Sequence, residues 1–418
     1  MDLKSRLSRL QLQAGAAPAV AAPKPSLATL RERIARLEQR GRGRPVDATR
    51  PAPAGGVAVE TLAATLEGEV IADGVIRIHK RFALSGQLGK IGLQALRTEP
   101  PGLPGDADNS KRRHVYVDTE TTGLSGGSGT LAFLVGLAVV TDQAIELTQF
   151  LLTKFCAEAA LLSAFAACLT SEDRLVSYNG KSYDLPLLTS RFRMQALPQP
   201  FADLPHLDLL HPVRRLFGNR WNNCRLLSVE QHLLGFARVD DLPGSEAPAA
   251  WFSYVRGGHA GQLVKVVAHN QQDIVSLPVA HTALAQAIAK PADFGVDIHA
   301  LGRWLAESDA DAARALLQSH SGHLCDAAKR FLAQLLRRAG HWPQAVALWE
   351  TLAANGCTDS LERLAKYHEH ISKDLAAARR CCERLPGTGP DQHRRRRIND
   401  KLIAADNRNA DTRRQPLL

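Results

Sequence analysis

HVYVDTETTGL, running from His114 to Leu124, is the stretch on which the fold turns. Val115 and Val117 alternate with bulkier or polar neighbours at period two, the pattern of a short strand with one face inward. The strand ends in Asp118-Thr119-Glu120, so two carboxylates project from one edge. Like charges this close repel, and a buried strand end rarely keeps both ionised without a compensating cation. Hard oxygen ligands with no cysteine or histidine pair beside them suit Mg²⁺ or Mn²⁺ rather than zinc. A solvated strand end with two ordinary acids fits these residues equally well. Only the rest of the chain separates the two readings.

Outward from this strand come GLSGGSGT, then the apolar strands TLAFLVGLAVV and AIELTQFLLT joined by Thr141-Asp142-Gln143. AEAALLSAFAACL has helical spacing, LVSYNG reads as a buried strand entering a turn, and YDLPLLTSRF as the next helix. HLDLL is a further strand, LLSVEQHLLG is helical, and LVKVVAHNQQDIVSLPVAHTALAQAIA makes a long closing helix. This order predicts a mixed α/β sheet covered by helices. Such sheets hold ligands at the carboxyl ends of strands, where Asp118 and Glu120 stand.

Two more acids join the pair. Asp184 follows a strand and an Asn-Gly turn in LVSYNGKSYDLPLL, with Asn179 and Lys181 in the turn, where they could meet a phosphate or a base edge. His269 and Asp273 in AHNQQDIVSL are one helical turn apart and face the same way. Taken singly, each has a plain explanation. Asp184 could cap its helix, His269 could be a surface or core histidine, and Asp273 could be a polar face. Together, the four carboxylates could hold two divalent ions roughly 3.5–4 Å apart, one activating a water and one stabilising the leaving oxygen of a phosphodiester. His269 would then orient or deprotonate the water. Asp208 in HLDLLHPVRRL reads as a structural or supporting acid, and Asp240-Asp241 before Pro243-Gly244 as a turn. The glycines Gly126, Gly127 and Gly129 lack a following GK[ST], which excludes a P-loop. A glycine loop beside Glu120 instead lets a nucleic-acid terminus approach the backbone.

The series VDTETTGLSGGSGTLAFLVG, VSYNGKSYDLPLL, HLDLLHPVRRLF, LLGFARVDDLPG and HNQQDIVSL resembles the DEDD 3′–5′ exonuclease superfamily, and within it the bacterial YprB-like branch. The resemblance covers about Lys111 to Ala289 and implies a ribonuclease-H-like fold. It implies that Asp118, Glu120, Asp184 and Asp273 bind two Mg²⁺ or Mn²⁺ ions, with His269 assisting the water. Thr122, Asn179 and Lys181 are the expected substrate contacts. One departure matters. Exonucleases with a catalytic histidine usually place it five residues before the last aspartate, whereas His269 precedes Asp273 by four. The implied activity is hydrolysis of single-stranded DNA or RNA from 3′ ends. The alternative, from another class, is a non-catalytic nucleic-acid-binding or scaffolding protein.

The 418 residues, 45% of them hydrophobic, can bury a substantial core and predict two domains plus extensions. A net charge of +10 favours a polyanionic partner without identifying one. Seven cysteines without a CxxC pair read as reduced thiols, and no apolar run spans a bilayer. With no hydrophobic signal core at the N-terminus, the expected location is cytoplasmic. Residues 1–56, rich in Ala, Pro, Gly and Arg, read as a flexible basic extension with short amphipathic helices, and 57–110 as a small β-rich lead-in and linker. The nuclease-type domain is expected over 111–290. Over 295–386 the chain reads as helical repeats, with similar stretches starting at Ser308, Gly340 and Ser372, 32 residues apart. Ala313, Ala345 and Ala377 fall at one place in these repeats, as do Ala300, Leu332 and Leu364. The period is near that of tetratricopeptide repeats, which this region loosely resembles and which suit a protein partner. Residues 387–418 read as a basic disordered tail.

Overall fold

The computed structural model describes residues 56–98, 100, 102–104, 112–123, 129–387 and 389–414. The N-terminal extension up to residue 55, Gly126 and Gly127, and the chain beyond 414 lie outside them. The chain divides into two compact units at the Gly295–Val296 junction.

The first unit opens with helix α1 (Val59–Thr65) and a hairpin of β1 (Gly68–Ala72) and β2 (Val75–Ala83). A two-stranded ladder follows, β3 (Gln87–Leu88) with β4 (Ile91–Gly92). The strands β5 (Arg113–Thr121), β6 (Ala132–Val140) and β7 (Ala144–Leu152) form an antiparallel meander. Helix α2 (Glu158–Ala166) leads to β8 (Asp173–Ser177), parallel to β5. Helix α3 (Asp184–Met194) leads to β9 (His206–Asp208), parallel to β8. Helices α4 (Leu210–Phe217), α5 (Ala247–Gly257) and α6 (Gly261–Ala289) complete the unit. The seven-stranded sheet runs β1-β2-β7-β6-β5-β8-β9, the mixed, helix-covered sheet that the order of elements predicts.

The hairpin expected in a separate lead-in belongs to the main sheet. β2 pairs with β7 along its whole length, from Val75 opposite Leu152 to Ala83 opposite Ala144. A nine-residue ladder on the free edge of β7 satisfies backbone groups that would otherwise be an exposed edge. The core explains why the sheet forms here. β6 is buried from Ala132 to Ala138, as expected for a strand covered on both faces. Trp251 of α5 is fully buried, stacks on Phe133 with ring centroids 5.3 Å apart, and donates its indole N–H to the carbonyl of Leu152.

The second unit is helical: α7 (Ile298–Leu305), α8 (Ala310–Ser319), α9 (Asp326–Arg338), α10 (Trp342–Ala354), α11 (Thr358–His370), α12 (Leu375–Glu383) and α13 (Gly389–Arg414). Ala313, Ala345 and Ala377 are buried in alternate helices, and so are Leu332 and Leu364 in the helices between, whereas Ala300 is half-buried. Asp309 and Asp374 cap α8 and α12, accepting backbone N–H groups of the first turn.

The basic run Arg394–Arg397 is not in a disordered tail. It lies in α13, where Ile398 is fully buried. Arg395 donates to the carbonyls of Cys382 and Leu385, while Arg397 and Lys401 both donate to Glu369 at 2.6–2.9 Å. Charge counting missed this because the partners are a buried acid and helix-end carbonyls, which composition does not show. Burial pushes the Glu369 carboxyl up, but hydrogen bonds from Arg397 and Lys401 outweigh it and hold the group down at about 2. A carboxyl lowered by folding contributes its stability above its ordinary value of 4.5 and loses it as pH falls toward 2. Glu369→Gln should therefore loosen α11 against α13 by about 1–3 kcal/mol at neutral pH. Hydrogen exchange of those two helices reads this out: faster exchange is expected, and unchanged protection would contradict the clamp.

Candidate metal centre

Asp118 and Glu120 stand at the carboxyl end of β5 with Thr119 between them. Asp118 is opposite Gly136 of β6. A side chain there would meet Ile274 at 2.0 Å and the Asn270 amide at 2.5 Å, so glycine lets α6 approach the sheet. Asn270, fully buried on α6, donates Nδ2–H to Asp118 Oδ2 at 2.7 Å, and its Oδ1 accepts from Gln149 at 2.8 Å. The amide chain holds Asp118 in place.

Asp184 is the first residue of α3. Its Oδ1 accepts the Thr119 hydroxyl at 2.5 Å, which ties α3 to the strand end. The turn before it is built around Asp208, whose carboxylate accepts the backbone N–H groups of Asn179, Lys181 and Leu210 at 2.7–3.1 Å. Asn179 takes φ +67°, a conformation asparagine tolerates, and at Gly180 a side chain would run into Ser177. The Asn-Gly pair is thus required by the turn's geometry. Asp118, Thr119, Asn179, Tyr183 and Asp184 line an open cleft of about 670 Å³.

His269 and Asp273 of α6 face the same strand end. His269 Nε2 lies 3.9 Å from Glu120 Oε1 and 3.5 Å from Asp273 Oδ2. Glu120, His269 and Asp273 each offer a ligand atom within 4.8 Å of the others, a donor set that could hold a metal ion. The electrostatics point the same way. The Asp118 carboxyl is pushed well above its ordinary range by burial, and further by Asp273, Asp184 and Glu120. Burial, then Asp273, Asp184 and Asp241, push Glu120 up to about 8, against the pull of Arg238. Burial raises Asp184 to about 6, partly offset by the Thr119 hydrogen bond. Burial first, and neighbouring carboxylates second, disfavour the ionised forms of Asp118 and Glu120, and a divalent cation would offset both effects.

The five residues proposed from the sequence for metals and water thus face one region. The three expected substrate contacts do not all join them. Asn179 lines the cleft. The Thr122 hydroxyl instead accepts the Leu131 N–H at 2.9 Å, across the base of the loop between β5 and β6. Lys181 is exposed, and its contribution to the turn is its backbone N–H.

The sequence reading missed a buried charge network behind the site. Arg238 donates to both oxygens of Glu230 at 2.7 Å and also to Asp273, and it approaches Asp241 at 3.3 Å. Glu230 is buried in a segment of π geometry, Val229–Leu234, and accepts the Ser276 hydroxyl at 2.5 Å as well. Asp241 is not merely part of a turn: it contacts His269 Nδ1 at 2.6 Å. Arg238 Nη1 also comes within 3.3 Å of that nitrogen. One ring nitrogen cannot donate to Asp241 and accept from Arg238, and the shorter carboxylate contact decides. On a neutral ring, a proton on Nδ1 toward Asp241 would leave Nε2 as the acceptor on the Glu120 side.

Among the described residues no helix is long and apolar enough to cross a membrane. Residues 115–284, from the first strand of the meander to the late part of α6, match the RNase_H superfamily. Over 288 residues, 66% of this chain and 69% of the relative, the sequence is 31% identical to the uncharacterized protein YprB of Bacillus subtilis (strain 168). With the mixed sheet and the acidic strand end in place, that similarity makes the chain a member of the YprB family within the RNase H superfamily.

Proposed function

We propose that this chain is a two-metal-ion nuclease that removes nucleotides from the 3′ ends of single-stranded DNA or RNA. The observation that carries the reading is the convergence of Asp118 and Glu120 from β5, Asp184 from α3 and Asp273 with His269 from α6 on one strand end. These four would hold two Mg²⁺ or Mn²⁺ ions. Bound ions would supply Lewis-acid stabilisation of a phosphodiester and an activated water. The chain's own residues do the rest. Asp241 fixes the His269 tautomer, so that Nε2 accepts the proton of a water on the Glu120–Asp273 side. Thr119 and Asn270 orient Asp184 and Asp118. Tyr183, more than half exposed at the rim of the cleft, offers a ring for a terminal base to stack on.

Titration calorimetry with Mn²⁺ tests the cation sites. Two equivalents are expected, with proton release below pH 8, since Glu120 must give up its proton to bind. Affinity should rise with pH up to about that value. No binding at pH 8 would contradict the reading.

Asp241→Asn tests the role of His269. Hydrolysis should fall by about 10–100-fold, the usual cost of losing a partner that orients an active-site side chain. The Mn²⁺ stoichiometry should stay the same. Wild-type turnover in this variant would remove His269 from the chemistry.

A further inference from the structure

Next to the carboxylate cleft lies a second, smaller pocket of about 210 Å³, and the two share Tyr178 and Asn179 as common walls. Its other walls include Arg214 of α4, Cys224 and Arg225, and among the described residues no acidic side chain lines it. The Tyr178 hydroxyl donates to the carbonyl of Cys224 at 2.6 Å, which fixes the shared wall. Arg214 Nε is buried and makes no hydrogen bond among the described residues. Asp208, whose carboxylate accepts the Asn179 N–H at this wall, is engaged by three backbone N–H groups. The pocket therefore brings the Arg214 guanidinium to the wall shared with the carboxylate cleft. The neighbouring cleft is acidic, so an anionic strand needs positive charge beside it to stay in register. Guanidinium groups match phosphate oxygens in geometry as well as in charge.

We infer that this pocket is a seat for a backbone phosphate of the substrate strand, one other than the phosphate at the carboxylates, held by Arg214. The inference rests on the nuclease reading for the identity of the strand, but its test does not depend on turnover. The seat recognises phosphate rather than base, so it serves DNA and RNA alike. It also sets how the strand lies between the two pockets, with the shared Asn179 and Tyr178 wall between consecutive contacts.

The test is binding of fluorescent single-stranded oligonucleotides to the full chain in chelator, over a series of salt concentrations. Arg214→Gln should bind about tenfold more weakly than wild type, whatever the sequence of the strand. Its plot of log affinity against log salt should be shallower by about 0.7, the value for one phosphate on a single strand. Arg214→Lys should keep the wild-type slope. Inorganic phosphate should displace the strand from wild type more readily than from Arg214→Gln. Equal displacement, or an unchanged slope in Arg214→Gln, would overturn the seat even if affinity fell. Should Arg214→Gln fail to fold, wild-type protein with strands carrying one neutral methylphosphonate linkage gives the answer. One linkage away from the end should cost about tenfold, and uniform tolerance would overturn the proposal. A shifted slope without Mn²⁺-dependent hydrolysis by wild type would retain the seat and reject the nuclease reading. Hydrolysis with an unshifted slope would do the reverse.

Discussion

Asp118→Asn should abolish hydrolysis while leaving the fold intact, and in the metal-free protein it should raise the melting temperature rather than lower it. The first effect follows from the loss of a ligand. Removing a group worth several kcal/mol in the transition state slows turnover on the order of 10³-fold or more. The second follows from the charges around it. In the absence of metal, the Asp118 carboxyl is raised by burial and by Asp273, Asp184 and Glu120, so its ionised form opposes folding. Carboxyls raised in this way lend most stability in acid and lose it as pH rises, for Glu120 between 4.5 and about 8. Asparagine keeps the size and can still accept the Asn270 hydrogen bond, but carries no charge. The gain in metal-free stability should therefore be small at pH 5 and larger at pH 8. Melting curves at the two values check it. A variant that melts well below wild type at pH 8, or one that still turns over, would contradict the assignment.

Arg238→Met should give the largest loss of stability of any single change in the network. The guanidinium is buried, serves both oxygens of Glu230, and also reaches Asp273. Removing it leaves the Glu230 carboxylate buried and unpaired, the situation that typically costs about 3–5 kcal/mol. For a unit of this size that is a fall of roughly 10 °C in melting temperature. The double variant Glu230→Gln with Arg238→Met should recover much of it, because a neutral amide can still accept the Ser276 hydroxyl without stranding a charge. If the double variant is no more stable than the single one, the loss comes from packing rather than charge.

The contrast between these two sites shows what the residues alone could reveal. Asp118 and Glu120 were legible because Val115 and Val117 alternate into a strand that ends on two acids, a pattern contained within a few residues. Asp184 and His269 with Asp273 were legible from their order along the chain and from helical spacing. Arg238 was not. Its partners are eight and 35 residues away in sequence, and one of them sits on a π turn that no propensity marks. Asp241 looked like turn chemistry because Pro-Gly follows it, and turn chemistry is compatible with the contact it also makes to His269. The β1–β2 hairpin looked independent for a similar reason. Alternation shows that a strand has one buried face, but it does not say which distant edge the strand joins. The histidine spacing resolves in the same terms. One helical turn from Asp273, His269 still faces Glu120, because α6 runs along the sheet and Gly136 lets it come close.

The most direct measurement is incubation of the wild-type chain with single-stranded DNA and RNA, labelled at either end, in Mn²⁺ and in chelator. Stepwise shortening from the 3′ end with Mn²⁺, and none with chelator, is the expected result. Strands that are bound but left whole under both conditions would mean that the clustered carboxylates do no chemistry, and that the chain holds nucleic acid without cutting it.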